Sequence, residues 1–226
     1  MKAAVFNGKV LADKIKLSTQ RKMKKLKLKP LIVSIRVGKL PASAAYVARQ
    51  EKNCLATGIK YRKITFSGNV SEKTVLKKIN TLNNDPEVTG IIVLLPLPDQ
   101  IDSLTVHKNI APEKDIEGVN PDNTGLLARD KAIMPPCTAA AVMKILKSIK
   151  CSARGKHAVI VGCSNIVGKP LAMMLLSKLA TVTVCNLRTK NLSSHTQSAD
   201  ILIAAAGVKN LIKPSMIKKS AVVIDV

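Results

Sequence analysis

Strand-length apolar runs alternate with helix-length amphipathic stretches along the whole 226-residue chain. That alternation leaves few folds open, because a strand–helix–strand chain most readily builds a parallel sheet with right-handed crossovers. Segment 31–37 (L-I-V-S-I-R-V) reads as a buried strand, 60–66 as a strand, and 88–95 as a strongly apolar strand stopped by P-L-P. Helical periodicity covers 8–28, 43–57 (ending at Gly58), 71–83 and 103–110. Ser71 and Thr74 stand where N-terminal caps belong. Segment 111–136 then changes character. It holds Pro112, Gly118, Pro121, Gly125, Pro135 and Pro136 with the acids Asp115, Glu117 and Asp122, and reads as a domain boundary and a site-bearing loop. Beyond it, a helix over 138–149 leads to strands at 158–161, 181–185, 201–205 and 221–226. Helices run to about residue 179 and over 192–198. The expected fold class is therefore α/β, with two α/β domains, 1–120 and 121–226, the second of Rossmann type.

Composition excludes several classes. No run approaches 18 apolar residues, the length that would argue for a membrane helix, and the N-terminal segment lacks the apolar stretch of a secretory leader. The five cysteines are scattered without a C-x-x-C pair, so reduced thiols in a cytoplasmic protein and no metal site are expected. Lysine and arginine number 37 against 14 acids, a net +23. Such a balance suits polyanionic partners or phosphorylated and carboxylated small molecules, and equally a lysine-biased surface. Only Phe6, Tyr46, Tyr61 and Phe66 are aromatic, a poor platform for stacking bases, so no specific nucleic acid and no membrane is expected as partner. His107, His157 and His195 read as surface or capping residues, Cys54 and Cys137 as small buried side chains, and Met173 and Met174 as core.

The most informative loop is G-C-S-N-I-V-G at 162–168, which follows an apolar strand and opens a helix. Gly162 permits a tight turn, Ser164 offers a hydroxyl, backbone N–H groups at the helix start face a phosphate, and Gly168 allows close helix–strand packing. The spacing is not G-x-G-x-x-G, since Ser164 stands at the middle glycine. The next strand ends C-N-L-R-T-K, where an NAD site usually carries an acid for the ribose hydroxyls. Arg188 and Lys190 suit a 2′-phosphate instead, which favours NADP.

Taken together, further segments resemble the bifunctional methylenetetrahydrofolate dehydrogenase/methenyltetrahydrofolate cyclohydrolase family. They are N-G-K at 7–9, V-G-K-L-P-A-S-A-A-Y-V at 37–47, G-I-I-V-L-L-P-L-P at 90–98 and P-E-K-D-I-E-G-V-N-P-D-N-T-G at 112–125. The others are P-C-T at 136–138, V-G-C-S-N-I-V-G-K-P at 161–170, T-V-T-V-C-N-L-R-T-K-N-L at 181–192 and I-D-V at 224–226. The resemblance implies a two-domain fold with a tetrahydrofolate derivative bound in a cleft between the domains. It implies NADP on the C-terminal domain, and usually a homodimer. The implied chemistry is oxidation of 5,10-methylenetetrahydrofolate to the methenyl form and hydrolysis of that to 10-formyltetrahydrofolate. It places Tyr46, the lysine position Gln50 and Glu117 at the reaction. Tyr46, Val93, Leu94, Leu95, Asp115 and Glu117 would meet the folate, and Gly162, Cys163, Ser164, Ile166, Gly168, Leu187 and Arg188 the cofactor.

The departures from the family pattern are as telling. The cleft motif Y-x-x-x-K puts both side chains on one helix face, but here it reads Tyr46 to Gln50. Lys52 is no replacement, being about 200° further round the helix. The family glutamine that partners the lysine is Leu94, so both members of a hydrogen-bonded pair have changed. The second acid of K-D-x-D-G is Glu117, and Asp115 either binds substrate or caps the loop. The histidine of H-P is Asn120, P-C-T-P-x-G has become P-C-T-A-A-A at 136–141, and G-R-S has become G-C-S at 162–164. The family continues past I-D-V with a Gly/Pro-rich loop and a returning helix, which implies a C-terminal domain truncated relative to its relatives. Three readings stand: an NADP-linked dehydrogenase with an impaired hydrolytic step, an inactive folate- or nucleotide-binding remnant, and a basic nucleic-acid-binding protein.

Overall fold

The computed structural model describes residues 3–38 and 41–226, side chains of 41–44 excepted. Lys39 and Leu40, part of the 37–47 segment, lie outside the described residues. The chain forms two compact units, Met1–Asp122 and Asn123–Val226.

In the first unit the elements run α1 (Gly8–Leu26), β1 (Leu31–Val37), α2 (Pro41–Ala56), β2 (Lys60–Phe66), α3 (Glu72–Asn83), β3 (Val88–Val93) and α4 (Ser103–Asn109). The three strands form a parallel sheet in the order β2-β1-β3. Strand side chains alternate between faces, and the two faces of β1 differ in partner. Leu31, Val33, Ile35 and Val37 join Val75, Ile79, Leu82, Ile91, Val93 and Val106 in the main core. Ile32 on the opposite face packs with Tyr61 and Ile116 against a small cluster of Val47, Ile92 and Leu94. A fully buried Val or Ile contributes about 1.5–3 kcal/mol, so the first face holds the unit together and the second is the lightly packed one. The expected cap is in place: the Ser71 hydroxyl accepts the Thr74 N–H at 3.3 Å.

The second unit contains α6 (Cys137–Ser148), β4 (His157–Val161), α7 (Gly168–Leu176), β5 (Thr181–Cys185), α8 (Leu192–Gln197), β6 (Ile201–Ala204), a short 3₁₀ turn at Pro214–Met216 and β7 (Val222–Asp225). Its parallel sheet has the order β5-β4-β6-β7. Residues of α6 and α7 cover one face, with Leu171, Leu175, Ile160, Ile201 and Ile203 fully buried. On the other face Leu192, Leu211, Ile212 and Ile217 pack against Val159 and Leu202.

Several expectations need correction. The segment expected to be loop over 111–136 contains a helix, α5 (Pro121–Ala128). Pro121 occupies its first position, where a missing N–H costs nothing, and the Asn120 Oδ1 accepts the Asp122 N–H at 2.7 Å in place of a serine or threonine cap. The first helix ends at Leu26 instead of residue 28, because Lys27 turns left-handed with φ 51°. Strand β3 stops at Val93, since Pro96 and Pro98 cannot donate to a ladder. His107 is buried instead of superficial, and Cys137 is exposed instead of buried. Among the described residues no helix is long and apolar enough to cross a membrane.

Candidate active site

In the first unit, α2 carries Tyr46 and Gln50 one turn apart. Gln50 lies towards the sheet: its Oε1 accepts the Tyr61 hydroxyl at 2.9 Å. Tyr61 stands on β2 opposite Ile32 of β1. Leu94 follows the end of β3 and is buried with Val47 and Ile92, its N–H donating to the Ile35 carbonyl at 2.9 Å. Tyr46 is 52% exposed. The structure thus brings Tyr46, Gln50 and Leu94 to one face of the sheet. Val93 does not join them, because alternation turns its side chain into the core on the other face. Leu95 is partly exposed. Lys52 is exposed and makes none of these contacts.

The segment after α4 returns along β3. Ile91 donates to the Lys114 carbonyl at 2.8 Å and forms a parallel bridge with Asp115. Gly90 makes this approach possible, since a Cβ there would overlap the side chain of Ile116. Asp115 is buried, and its Oδ2 accepts the Asn120 N–H at 2.8 Å, so it braces the loop. Asn120 in turn donates to the Ile110 carbonyl at 2.8 Å. Glu117 lies two residues along. Burial, and then the nearby Asp115 charge, push its carboxyl up to about 7.

A raised carboxyl pKa makes the folded state hold its proton more tightly than the unfolded chain does. Stability is then fully present below the ordinary value near 4.5 and declines as pH rises through about 7. Glu117→Gln should remove that decline. Relative to the parent, the variant should gain about 1–3 kcal/mol between pH 5 and pH 8, given ~1.4 kcal/mol per pKa unit. Urea unfolding at the two pH values measures the gain, and an equal offset at both would contradict it.

In the second unit, strand order reverses at β4, whose neighbours are β5 on one side and β6 on the other. Open parallel sheets bind ligands outside the carboxyl ends of the strands at such a point. Residues 162–168 occupy that position. Gly162 has φ +123° and a Cβ on it would overlap the Ala205 carbonyl; a Cβ on Gly168 would overlap the carbonyl oxygen of Gly162. The loop therefore closes on itself through two glycines, as their positions suggested. Ser164 Oγ accepts the Val167 N–H at 3.2 Å and its carbonyl accepts the Lys169 N–H at 3.1 Å. Cys163, Ser164 and Ile166 are exposed around this turn. After β5, Asn186 Oδ1 accepts the Arg188 N–H at 2.8 Å, and Leu187 and Arg188 are both exposed. No acid lies between Asn186 and Lys190.

Sequence reasoning missed Tyr61 as the partner of Gln50, and Ser34 beside Tyr61. The available signal was period-two alternation, which puts Ile32, Ser34 and Tyr61 on the face towards α2. It also missed Gly90, a glycine inside an apolar strand, which commonly marks a close backbone approach.

A sheet reversing at β4, with a glycine-closed loop at that strand's carboxyl end, defines an α/β protein of the dinucleotide-binding kind. Comparison with known proteins narrows the class. Residues 6–117 match the family model "tetrahydrofolate dehydrogenase/cyclohydrolase, catalytic domain", and residues 136–226 match the NAD(P)-binding domain of the same enzymes. The bifunctional protein FolD of Dechloromonas aromatica is 44% identical over 229 aligned positions, covering 100% of this chain and 81% of that protein. The crystal structure of the bifunctional FolD methylenetetrahydrofolate dehydrogenase/cyclohydrolase from Campylobacter jejuni superposes with TM-score 0.93 at 42% identity, over 96% of this chain and 78% of that one. The Trypanosoma brucei enzyme, solved with NADP and an inhibitor, superposes with TM-score 0.94 at 31% identity, over 99% and 78% of the two chains. The chain belongs to the tetrahydrofolate dehydrogenase/cyclohydrolase family.

Proposed function

We propose that this protein oxidises 5,10-methylenetetrahydrofolate to 5,10-methenyltetrahydrofolate with NADP, and that it hydrolyses the methenyl product to 10-formyltetrahydrofolate only weakly. The setting is one-carbon folate metabolism in the cytoplasm, and the working form is a homodimer. The observation that carries the reading is the pairing of family membership with a neutral Gln50 whose carboxamide oxygen is already taken by Tyr61. A carboxamide neither gains nor loses a proton near neutral pH, so it cannot act as a general acid or base, and positioned general acid–base catalysis is worth typically ~10²–10⁴-fold. Hydride transfer depends chiefly on placing donor and acceptor, which asks less of that position.

The remaining residues divide the work. Tyr46 offers its ring for the folate to stack on. Leu94 and Leu95 supply apolar surface at the end of β3, and Val93 contributes backbone alone. Asp115 holds the loop that carries Glu117, and Glu117, titrating near 7, is the site carboxyl able to carry a proton at neutral pH. NADP, when bound, supplies the hydride acceptor. The glycines let the turn pack against the Ala205 backbone and close on the Gly162 carbonyl, which sets the start of α7 facing the space outside β4 where a pyrophosphate would lie. Cys163, Ser164 and Ile166 border that space. Leu187 offers an apolar contact, and Arg188 a cation for the 2′-phosphate.

The direct test follows methylenetetrahydrofolate oxidation spectroscopically at the methenyl product. Methenyltetrahydrofolate should accumulate in the presence of NADP; rapid passage to the formyl product would refute the weak hydrolysis. Cofactor choice has its own test. Arg188→Ala should weaken NADP binding roughly 10–100-fold, the worth of a hydrogen bond to a charged group, and leave NAD binding within about threefold. Equal losses for both cofactors would remove Arg188 from the 2′-phosphate.

A further inference from the structure

We infer that Ser34 and Tyr61 form a relay that locks the Gln50 carboxamide with its N–H groups towards the ligand, making Gln50 a fixed hydrogen-bond donor. The inference rests on the folate reading only for the identity of the ligand; the relay itself is drawn from unit-one geometry. Three elements supply it: Ser34 from β1, Tyr61 from β2 and Gln50 from α2. The Tyr61 hydroxyl donates to Gln50 Oε1 at 2.9 Å, and the Ser34 side chain is a hydrogen-bond partner of the same phenol.

The direction of the chain follows from the proton inventory. A phenol has one proton to give. That proton goes to Gln50 Oε1, the partner at 2.9 Å, and the neighbouring Val47, Ile92 and Leu94 side chains offer no acceptor. An amide bonded through its oxygen turns its Nε2 away from the phenol. The orientation is therefore set by the network. Other ionisable groups near Tyr61 are Glu51, Cys54 and Tyr46; Glu51 is engaged by Lys63 at 2.8 Å. A donor fixed in advance loses little freedom on binding, so the position selects ligands that present an acceptor, a ring carbonyl oxygen or an unprotonated ring nitrogen, towards α2. Tyr61 is on this account a positioning residue acting through Gln50.

The test uses the full chain with NADP and tetrahydrofolate as the probe. Tyr61→Phe should raise the Kd for tetrahydrofolate by calorimetry, and the KM for the methylene form, by about tenfold, with most of the kcat/KM loss in KM. In a Gln50→Ala background the same change should have no further effect, because a residue acting through another is not additive with it. Thermal melts establish that each variant is folded. An unaltered Kd in Tyr61→Phe would overturn the inference, and so would an equal loss in the Gln50→Ala background. A second measurement needs no folate: the Gln50 side-chain amide signals in a ¹⁵N–¹H spectrum should shift in Tyr61→Phe and in Ser34→Ala. Unmoved signals would overturn the relay. If the parent protein bound no tetrahydrofolate while these signals moved, the folate reading would fall and the relay would stand.

Discussion

The combined substitution Gln50→Lys with Leu94→Gln should raise methenyltetrahydrofolate hydrolysis by ~10²–10⁴-fold, the usual worth of a positioned acid–base group. The structure explains why two changes are needed. Gln50 sits against the Tyr61 hydroxyl, and the nearby surface is the apolar cluster of Val47, Ile92 and Leu94. A lysine introduced there alone meets Leu94, which can neither accept from it nor orient it, and desolvation lowers the affinity of an amine for its proton. Gln50→Lys alone should therefore recover about tenfold or less of the activity. Leu94→Gln alone buries an amide among apolar side chains and should cost about 1–3 kcal/mol of stability for an unmet polar group. In the double variant each introduced group supplies the partner that the other lacks, so the two effects should be strongly non-additive. Hydrolysis of added methenyltetrahydrofolate, measured under one buffer for the parent, both single variants and the double, decides the matter. No gain in a double variant that still binds tetrahydrofolate would mean that the missing base is not what limits hydrolysis. The chain would then be read as a binding protein descended from an enzyme.

What the sequence revealed and concealed follows from the range of the interactions involved. The parallel α/β architecture was legible because most strands are short apolar runs and the helices have their own periodicity, both local properties. Ser71 as a cap, and Gly162 and Gly168 as close-approach residues, were legible for the same reason: the requirement lies within a few residues of the signal. Helix α5 was hidden, because Pro121 and Gly125 read as loop punctuation, and the device that starts it is the Asn120 side chain, itself anchored on the distant Ile110 carbonyl. Tyr46 and Gln50 could be placed on one face by their spacing of four. Tyr61 could not be joined to them, since its contact with Gln50 crosses from a helix to a strand and depends on how the two pack. Val93 shows the opposite failure. A contiguous motif suggested three ligand-facing residues in a row, and a strand allows only alternate ones to face the same way.

The glycine-closed loop gives the sharpest contrast between near-identical substitutions. Gly168→Ala should destabilise the protein by about 3 kcal/mol or more, because the added methyl meets the carbonyl of Gly162 and backbone cannot swing aside as a side chain can. Gly162→Ala should cost at least as much. It adds a clash with the Ala205 carbonyl to a φ of +123°, a region that side-chain-bearing residues rarely adopt. Gly155 is the control: its φ is also positive, at +69°, but nothing lies within 4 Å of a Cβ built on it. Gly155→Ala should cost only about 1–2 kcal/mol, the left-handed penalty alone. The order of the three in urea unfolding separates crowding from conformational strain, since strain alone would leave Gly168→Ala, which has no positive φ, as the mildest. Nucleotide binding adds a second readout. If residues 162–168 hold the cofactor's pyrophosphate, the loss of NADP affinity in Gly162→Ala and Gly168→Ala should exceed tenfold under conditions where both are folded. Gly155→Ala should bind as the parent does. NADP affinity retained in a folded Gly168→Ala would move the cofactor away from this turn, because the helix start that faces the phosphate cannot stay in place once the carbonyl beneath it has been displaced.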